Sequence, residues 1–210
     1  MEPRIIDRTL CTFCGACVAV CPNRALEIKG CEMTVESVLE AMLKDRPYYE
    51  ESGGGLTVSG GEPMAQFEFT KELLSAAKEQ EIHTCIETCG YAREERFKEI
   101  FPLVDLFLFD IKGLEVAPHV KHAGGSNRLI HENLDFLVCN KAQVQLRCPL
   151  IPGLNDLEDD LQGLAELRKK YADRLSGIEI LPYHNMGVEK GVRIGRDASL
   201  GHLSSATEAQ

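Results

Sequence analysis

Four cysteines fall within residues 11–21, as Cys11-x2-Cys14-x2-Cys17-x3-Cys21 followed by Pro22. Thiolates are the soft ligands that iron–sulfur clusters prefer, and such short spacings let backbone amides curl around inorganic sulfide. The pattern is the bacterial ferredoxin run for a 4Fe-4S cluster, with a zinc knuckle as the competing reading. In two-cluster ferredoxins the fourth cysteine of each run ligates the other cluster. Cys21 therefore either closes a single cluster with the other three or belongs with a second run upstream of Met1.

A second stretch able to do chemistry is Gly53-Gly54-Gly55-Leu56-Thr57-Val58-Ser59-Gly60-Gly61-Glu62-Pro63. A strand leads into two glycines that permit close backbone approach to a ligand, then a carboxylate and a helix-starting proline. The other five cysteines are scattered. Cys85, Cys139 and Cys148 occupy positions suited to small apolar residues and are expected in the core. Cys89 falls at a polar strand end, and Cys31 follows the cysteine run. His119, His122, His131 and His202 are expected at the surface.

The elements that position these residues follow from periodicity. Residues 1–33 are a small cysteine-spaced segment with a short β-like piece at Ala25–Lys29, and residues 34–210 are an α/β domain. A helix is expected from Thr34 to Arg46, ended by Pro47. Five apolar runs read as strands: Leu56–Val58, Thr84–Thr88, Leu106–Ile111, Val144–Cys148 and Ile178–Leu181. Helical patterns separate them. One places Phe69, Leu73, Leu74 and Ala77 on one face, and another begins after Asp156 as N-cap and turns Leu157, Leu161, Leu164 and Tyr171 inward. This order implies parallel strands with right-handed crossovers. Polar residues gather after the strands, at Ser59–Pro63, Glu87–Gly90, Asp110–Lys112 and Tyr183-His184. Such convergence favours a full or partial barrel with its site at the carboxyl ends.

The wording Gly60-Gly61-Glu62-Pro63 resembles the GGEP motif of radical S-adenosylmethionine enzymes. Residues Met33–Pro63, Ile86–Tyr91, Asp105–Lys112, Ser126-Asn127, Glu132-Asn133-Leu134, Pro149–Asn155 and Leu181–His184 are similar, in order and approximate spacing, to segments of glycyl-radical-enzyme activating enzymes. The resemblance implies a partial parallel (β/α)6-type barrel with a small ferredoxin-like iron–sulfur segment at its N-terminus. It also implies cofactor-binding roles for Gly60, Gly61, Glu62, Glu87, Thr88, Asp110, Ile111, Lys112, Arg147 and His184. Gly60 and Gly61 would meet the amino group of S-adenosyl-L-methionine, Asp110–Lys112 its methionyl end, and His184 its ribose. Glu87, Thr88 and Asp110 could hold a monovalent cation. Cys11, Cys14, Cys17 and Cys21 would bind the 4Fe-4S cluster.

The implied activity is reductive cleavage of S-adenosyl-L-methionine to a 5′-deoxyadenosyl radical that abstracts hydrogen from a glycine of a partner glycyl radical enzyme. A flavodoxin or ferredoxin would be the reductant. The family's Cys-x3-Cys-x2-Cys triad is missing here: Cys85-x3-Cys89 is followed by Ala92, and Cys17-x3-Cys21 by Arg24. No catalytic residue is therefore assigned. The expectation is a chain truncated at both ends and inactive alone, with the triad upstream. At its C-terminus Ser205-Ala206-Thr207-Glu208 reads as a capping box opening a helix. Two other readings compete: a 4Fe-4S electron-transfer module, and a non-catalytic fragment of such an activase.

The 210 residues suffice for one domain plus a small appendage. A net charge of −10 opposes a nucleic-acid surface. No apolar run approaches the roughly 20 residues of a bilayer span, and no signal peptide is visible, so a cytoplasmic protein is expected.

Overall fold

A computed structural model describes residues 6–185, 191, 203, 205 and 206. It divides into two compact units, Met1–Met33 with His184–Leu203, and Thr34–Tyr183 with Ser204–Gln210. In the first, the only element among the described residues of the cysteine run is a short helix, α1 (Ala16–Ala19). The β-like piece at Ala25–Lys29 forms no strand. Among the described residues no strand pairs with it, so its alternating pattern has no ladder to join there.

The second unit is an open five-stranded parallel sheet in the order β1 (Gly55–Val58), β2 (His83–Thr88), β3 (Leu106–Asp110), β4 (Val144–Leu150) and β5 (Gly177–Pro182). Every adjacent pair is parallel, with Val58 opposite Ile86, Thr88 opposite Phe109 and Asp110 opposite Arg147. Strand order equal to sequence order is what successive crossovers of one hand produce. The sheet does not close, so it is a partial barrel with β1 and β5 at its edges.

Helices α2 (Val35–Leu43), α3 (Arg46–Ser52), α4 (Phe67–Glu79), α5 (Glu94–Ile100), α6 (Val116–Ala123), α7 (Arg128–Cys139) and α8 (Glu158–Tyr171) surround it. Alternation along the strands decides which side chains enter the main core: Phe107 and Phe109 from β3, and Val144, Leu146 and Cys148 from β4. They meet Leu134, Leu137 and Val138, a helical-period stripe of α7. Burying Phe107 and Phe109 completely is worth roughly 1.5–3 kcal/mol each. A smaller cluster of Val35, Met42, Leu73, Ala77 and Ile82 joins α2 to α4.

Local chemistry sets several boundaries. Thr34 and Ser37 form a reciprocal capping box, Ser37 N–H to Thr34 Oγ1 at 3.2 Å and Thr34 N–H to Ser37 Oγ at 3.1 Å, which starts α2. Pro47 does not end that helix, which stops at Leu43 with Lys44 as its C-cap, short of the expected Arg46. It lies in the first turn of α3, where its missing N–H costs nothing.

Asp156 is not the N-cap of α8. Its carboxylate accepts from Gly153 N–H at 2.8 Å and stabilises the preceding turn, while Leu157 takes the cap position. Leu157 and Leu161 are exposed, and the inward stripe shifts to Leu164, Leu167 and Tyr171. Phe69 is only half-buried on α4, where Phe67 and Thr70 face inward instead. Thr207 and Glu208 of the expected capping box lie outside the described residues. Among the described residues no helix is long and apolar enough to cross a membrane.

Candidate functional site

Of the residues singled out by sequence, Gly60, Gly61, Glu62, Glu87, Thr88, Asp110, Ile111 and Lys112 lie at the carboxyl ends of β1–β3, and a hydrogen-bonded row links β1, β2, β4 and β5. Ser59, just after β1, donates from Oγ to Glu87 Oε2 at 2.7 Å. Glu87 on β2 also accepts from Arg147 Nη1 on β4. Arg147 Nε reaches Glu179 Oε2 on β5 at 3.3 Å. Arg147 is thus spent between two carboxylates, as a planar fork of donors allows.

Glu62 works differently from its neighbours. Its carboxylate accepts from Met64 N–H at 3.1 Å, from Thr88 Oγ1 at 2.7 Å and from Cys89 N–H at 2.8 Å. Thr88 is buried and also receives Gly90 N–H at 3.1 Å. Glu62 and Thr88 are therefore occupied in holding the mouth together. Gly60 has φ +128, a conformation that L side chains rarely adopt, and a Cβ placed at Gly60 or Gly61 would meet nothing within 4 Å. The backbone here is open to a ligand.

Asp110 closes β3, and neither its side chain nor that of Lys112 forms a hydrogen bond or salt bridge among the described residues. Burial pushes the Asp110 carboxyl above its ordinary value, the Lys112 charge opposes that rise, and Glu87 adds to it. Ile111 turns its side chain into the core and donates its N–H to Arg147 O at 2.9 Å, so only its backbone faces the mouth. A cavity of about 280 Å³ opens beside these residues. Asp110, Lys112, Cys89, Tyr91, His119 and Ile130 form part of its lining. Burial raises the Cys89 thiol to about 11, with its hydrogen bond to Glu62 adding to the rise.

Three surface or core expectations change. His119 is buried and shares a 2.7 Å hydrogen bond between Nδ1 and Gly125 O. His131 is half-buried, and desolvation lowers its pKa. Cys139 is exposed at the end of α7, whereas Cys85 and Cys148 are buried as expected. His202 lies outside the described residues.

In the first unit Cys14 and Cys17 are exposed, and Cys11 and Cys21 partly so. Ala25 N–H donates to Cys21 Sγ at 3.2 Å. Backbone donors also lower the thiol pKa values, those of Leu26 and Ala25 at Cys21 and that of Ala16 at Cys14. Accessible thiols met by backbone N–H groups suit an iron–sulfur cluster chemically. Among the described residues no three metal-ligating side chains converge, here or at Glu87, Thr88 and Asp110. His184 is exposed and belongs to this first unit.

The family model of the radical SAM superfamily matches residues 8–168. The choline trimethylamine-lyase activating enzyme of Oleidesulfovibrio alaskensis is 46% identical over 225 residues, covering 91% of this chain and 73% of that protein. The chain belongs to the glycyl-radical-enzyme activating enzymes of the radical SAM superfamily. An isethionate sulfite-lyase activating enzyme of Nitratidesulfovibrio vulgaris is 40% identical, with 97% of this chain covering 66% of that protein, so the activase family is matched over part of its length. A solved domain of a pyruvate-formate lyase-activating enzyme from Bacteroides vulgatus superposes with a TM-score of 0.58 at 31% identity, covering 62% of this chain and 81% of that one. SuiB of Streptococcus suis, at 14% identity and a TM-score of 0.62 over 84% of this chain and 38% of that one, shares the fold with this activase.

Sequence reasoning found the strand ends because their polar residues interrupt apolar runs. It missed that Asn127 and Asn133 grip the loops beside the cavity, with Asn127 Nδ2 2.9 Å from Leu114 O and Asn133 Nδ2 2.8 Å from Gly90 O. The signal available was Asn133, an asparagine in the interior of a helix, where it has little use.

Proposed function

We propose that this chain is the S-adenosyl-L-methionine-binding core of an activase for a glycyl radical enzyme. The overall reaction cleaves S-adenosyl-L-methionine reductively to methionine and a 5′-deoxyadenosyl radical, which takes hydrogen from a backbone glycine of the protein partner. One observation carries the reading: Asp110 and Lys112, opposite in charge and unpaired within the described residues, line one cavity at the strand ends. A zwitterionic methionyl group asks for that pair of charges.

In this reading Gly60 and Gly61 present bare backbone to the amino group, and Lys112 meets the carboxylate. Ile111 contributes backbone alone, and Glu62 and Arg147 brace the loops that do the binding. A monovalent cation near Glu87, Thr88 and Asp110 would favour the ionised Asp110 carboxylate against the burial that raises its pKa and would offset the Glu87 charge that adds to the rise. Cys11, Cys14, Cys17 and Cys21 would hold a 4Fe-4S cluster, and such a group supplies electrons one at a time. The electrons would come from a flavodoxin or ferredoxin in the cytoplasm.

The test is anaerobic calorimetric titration of the iron-loaded chain with S-adenosyl-L-methionine. Saturable binding is expected, weakened by Lys112→Ala and by Asp110→Asn. Absence of binding by the unsubstituted chain overturns the reading.

A further inference from the structure

We propose that Asn127 and Asn133 are positioning residues, each clamping one of two loops that contribute to the wall of the 280 Å³ cavity. The functional consequence rests on the S-adenosyl-L-methionine reading above. The clamp itself rests only on geometry.

Both residues belong to α7, Asn127 as its N-cap and Asn133 within its second turn. Asn127 Nδ2 donates to two successive carbonyls, Gly113 O at 3.1 Å and Leu114 O at 2.9 Å. Asn155 Nδ2 adds Lys112 O at 3.3 Å, so asparagine amides hold three carbonyls in a row immediately after Asp110 and Ile111. Asn133 Nδ2 donates to Gly90 O at 2.8 Å and Ala92 O at 2.7 Å, on either side of Tyr91. One rigid helix thus grips the Lys112 loop with its first residue and the Cys89–Tyr91 loop two turns later.

The grip is costly to the helix. Asparagine is among the best N-cap residues, yet Asn127 makes no side-chain cap bond. The Oδ1 atoms of Asn127 and Asn133 are both buried without a hydrogen-bond partner among the described residues. A buried acceptor left unmet is destabilising, and native proteins hold few of them. Two on one helix show that placing the paired N–H donors outweighs satisfying the oxygens. Asparagine suits this task because one short side-chain nitrogen offers two N–H groups, enough to bridge two carbonyls, whereas aspartate, serine and alanine cannot do so. Misplacing a binding group by about 1 Å can cost on the order of a hundredfold in rate. Loops that present Lys112 and Cys89 to the cavity are where such a clamp matters.

The experiment uses Asn127→Ala, Asn127→Ser and Asn133→Ala in the full 210-residue chain. Serine preserves N-cap chemistry but lacks the reach to either carbonyl. Amide hydrogen exchange is read at residues 90–93, at residues 111–115 and in the strands. Both Asn127 variants should speed exchange at 111–115 by about tenfold while leaving 90–93 and the strands unchanged, and Asn133→Ala should do the reverse. Affinity for S-adenosyl-L-methionine should fall about tenfold in Asn127→Ala, as for other supports of binding groups. It should fall no further when Asn127→Ala is added to Lys112→Ala, because the clamp acts through that lysine. Native exchange in Asn127→Ser, equal loosening of both loops by either variant, or full additivity with Lys112→Ala overturns the proposal. A wild-type chain that binds no S-adenosyl-L-methionine sinks the activase reading, and the exchange pattern then decides the clamp by itself.

Discussion

Glu62 and Thr88 meet across the mouth of the sheet, with the Thr88 hydroxyl 2.7 Å from Glu62 Oε1 and the Cys89 N–H 2.8 Å from Glu62 Oε2. The carboxylate that follows the two glycines after β1 is thereby the strut joining them to the end of β2. Glu62→Ala removes three hydrogen bonds to one ionised group and leaves the buried Thr88 hydroxyl short of a partner. It should cost about 2–4 kcal/mol in urea denaturation. Glu62→Gln, which keeps an acceptor for Thr88, should cost less than half as much. Equal losses in the two variants would show that charge alone matters.

Gly90 lies against Phe109 with φ +72, and a Cβ there would fall 2.2 Å from the ring tip. Phe109 is fully buried at the centre of the core and has no slack to retreat. Gly90→Ala should therefore destabilise by about 2–3 kcal/mol, through backbone strain and overpacking together. Adding Phe109→Leu should recover part of the loss in a double-mutant cycle. Simple additivity of the two changes would refute the contact.

Asp105 fixes the start of β3. Burial pushes its carboxyl up, but the Lys78 ammonium at 2.7 Å and the Thr84 N–H at 2.8 Å outweigh this, so its pKa lies below the ordinary value. A depressed folded pKa gives stability that is present above the unfolded value of about 3.9 and lost as pH falls through the folded value. Asp105→Asn should cost about 1–2 kcal/mol at pH 7. The gap between variant and parent should narrow progressively below about pH 4. Urea midpoints measured from pH 7 to pH 3 check this, and a gap independent of pH would contradict it.

Thiol accessibility separates the cysteines into two classes. In the iron-free chain at pH 8, iodoacetamide should label Cys14, Cys17, Cys31 and Cys139, which are exposed. It should spare Cys85 and Cys148, which are buried, and Cys89, whose thiol is held at about 11. Reconstitution with iron and sulfide should bind about four irons per chain and protect Cys11, Cys14, Cys17 and Cys21, while Cys31 and Cys139 still react. Peptide mass spectrometry reads both patterns. Zinc uptake without a visible chromophore, or continued labelling of the four after reconstitution, would remove the cluster assignment.

Strand positions were legible because period-2 apolar runs bounded by glycine and polar residues admit few alternatives in an α/β chain. Each of the five strands lies within a few residues of its expected place. The glycines of the Gly60-Gly61 turn and the cysteine spacing were readable for a related reason. Their chemistry resides in residue type and separation along the chain, which folding does not alter.

What tertiary structure alone decided was where each polar side chain spends its hydrogen bonds. Glu62 read as a cofactor residue, but its oxygens go to Met64, Thr88 and Cys89. Asp156 read as an N-cap, but it serves Gly153. Leu157 and Leu161 fit an inward helical stripe, yet no packed element covers them and they remain exposed. His119 read as a surface residue and is buried against Gly125 O. Asn127 and Asn133 carried no recognised chemistry, and only the approach of two loops to one helix gave their amides work. A local pattern reports the period and the residue's capability, whereas partners distant in sequence are chosen by the packing that brings them within about 3 Å.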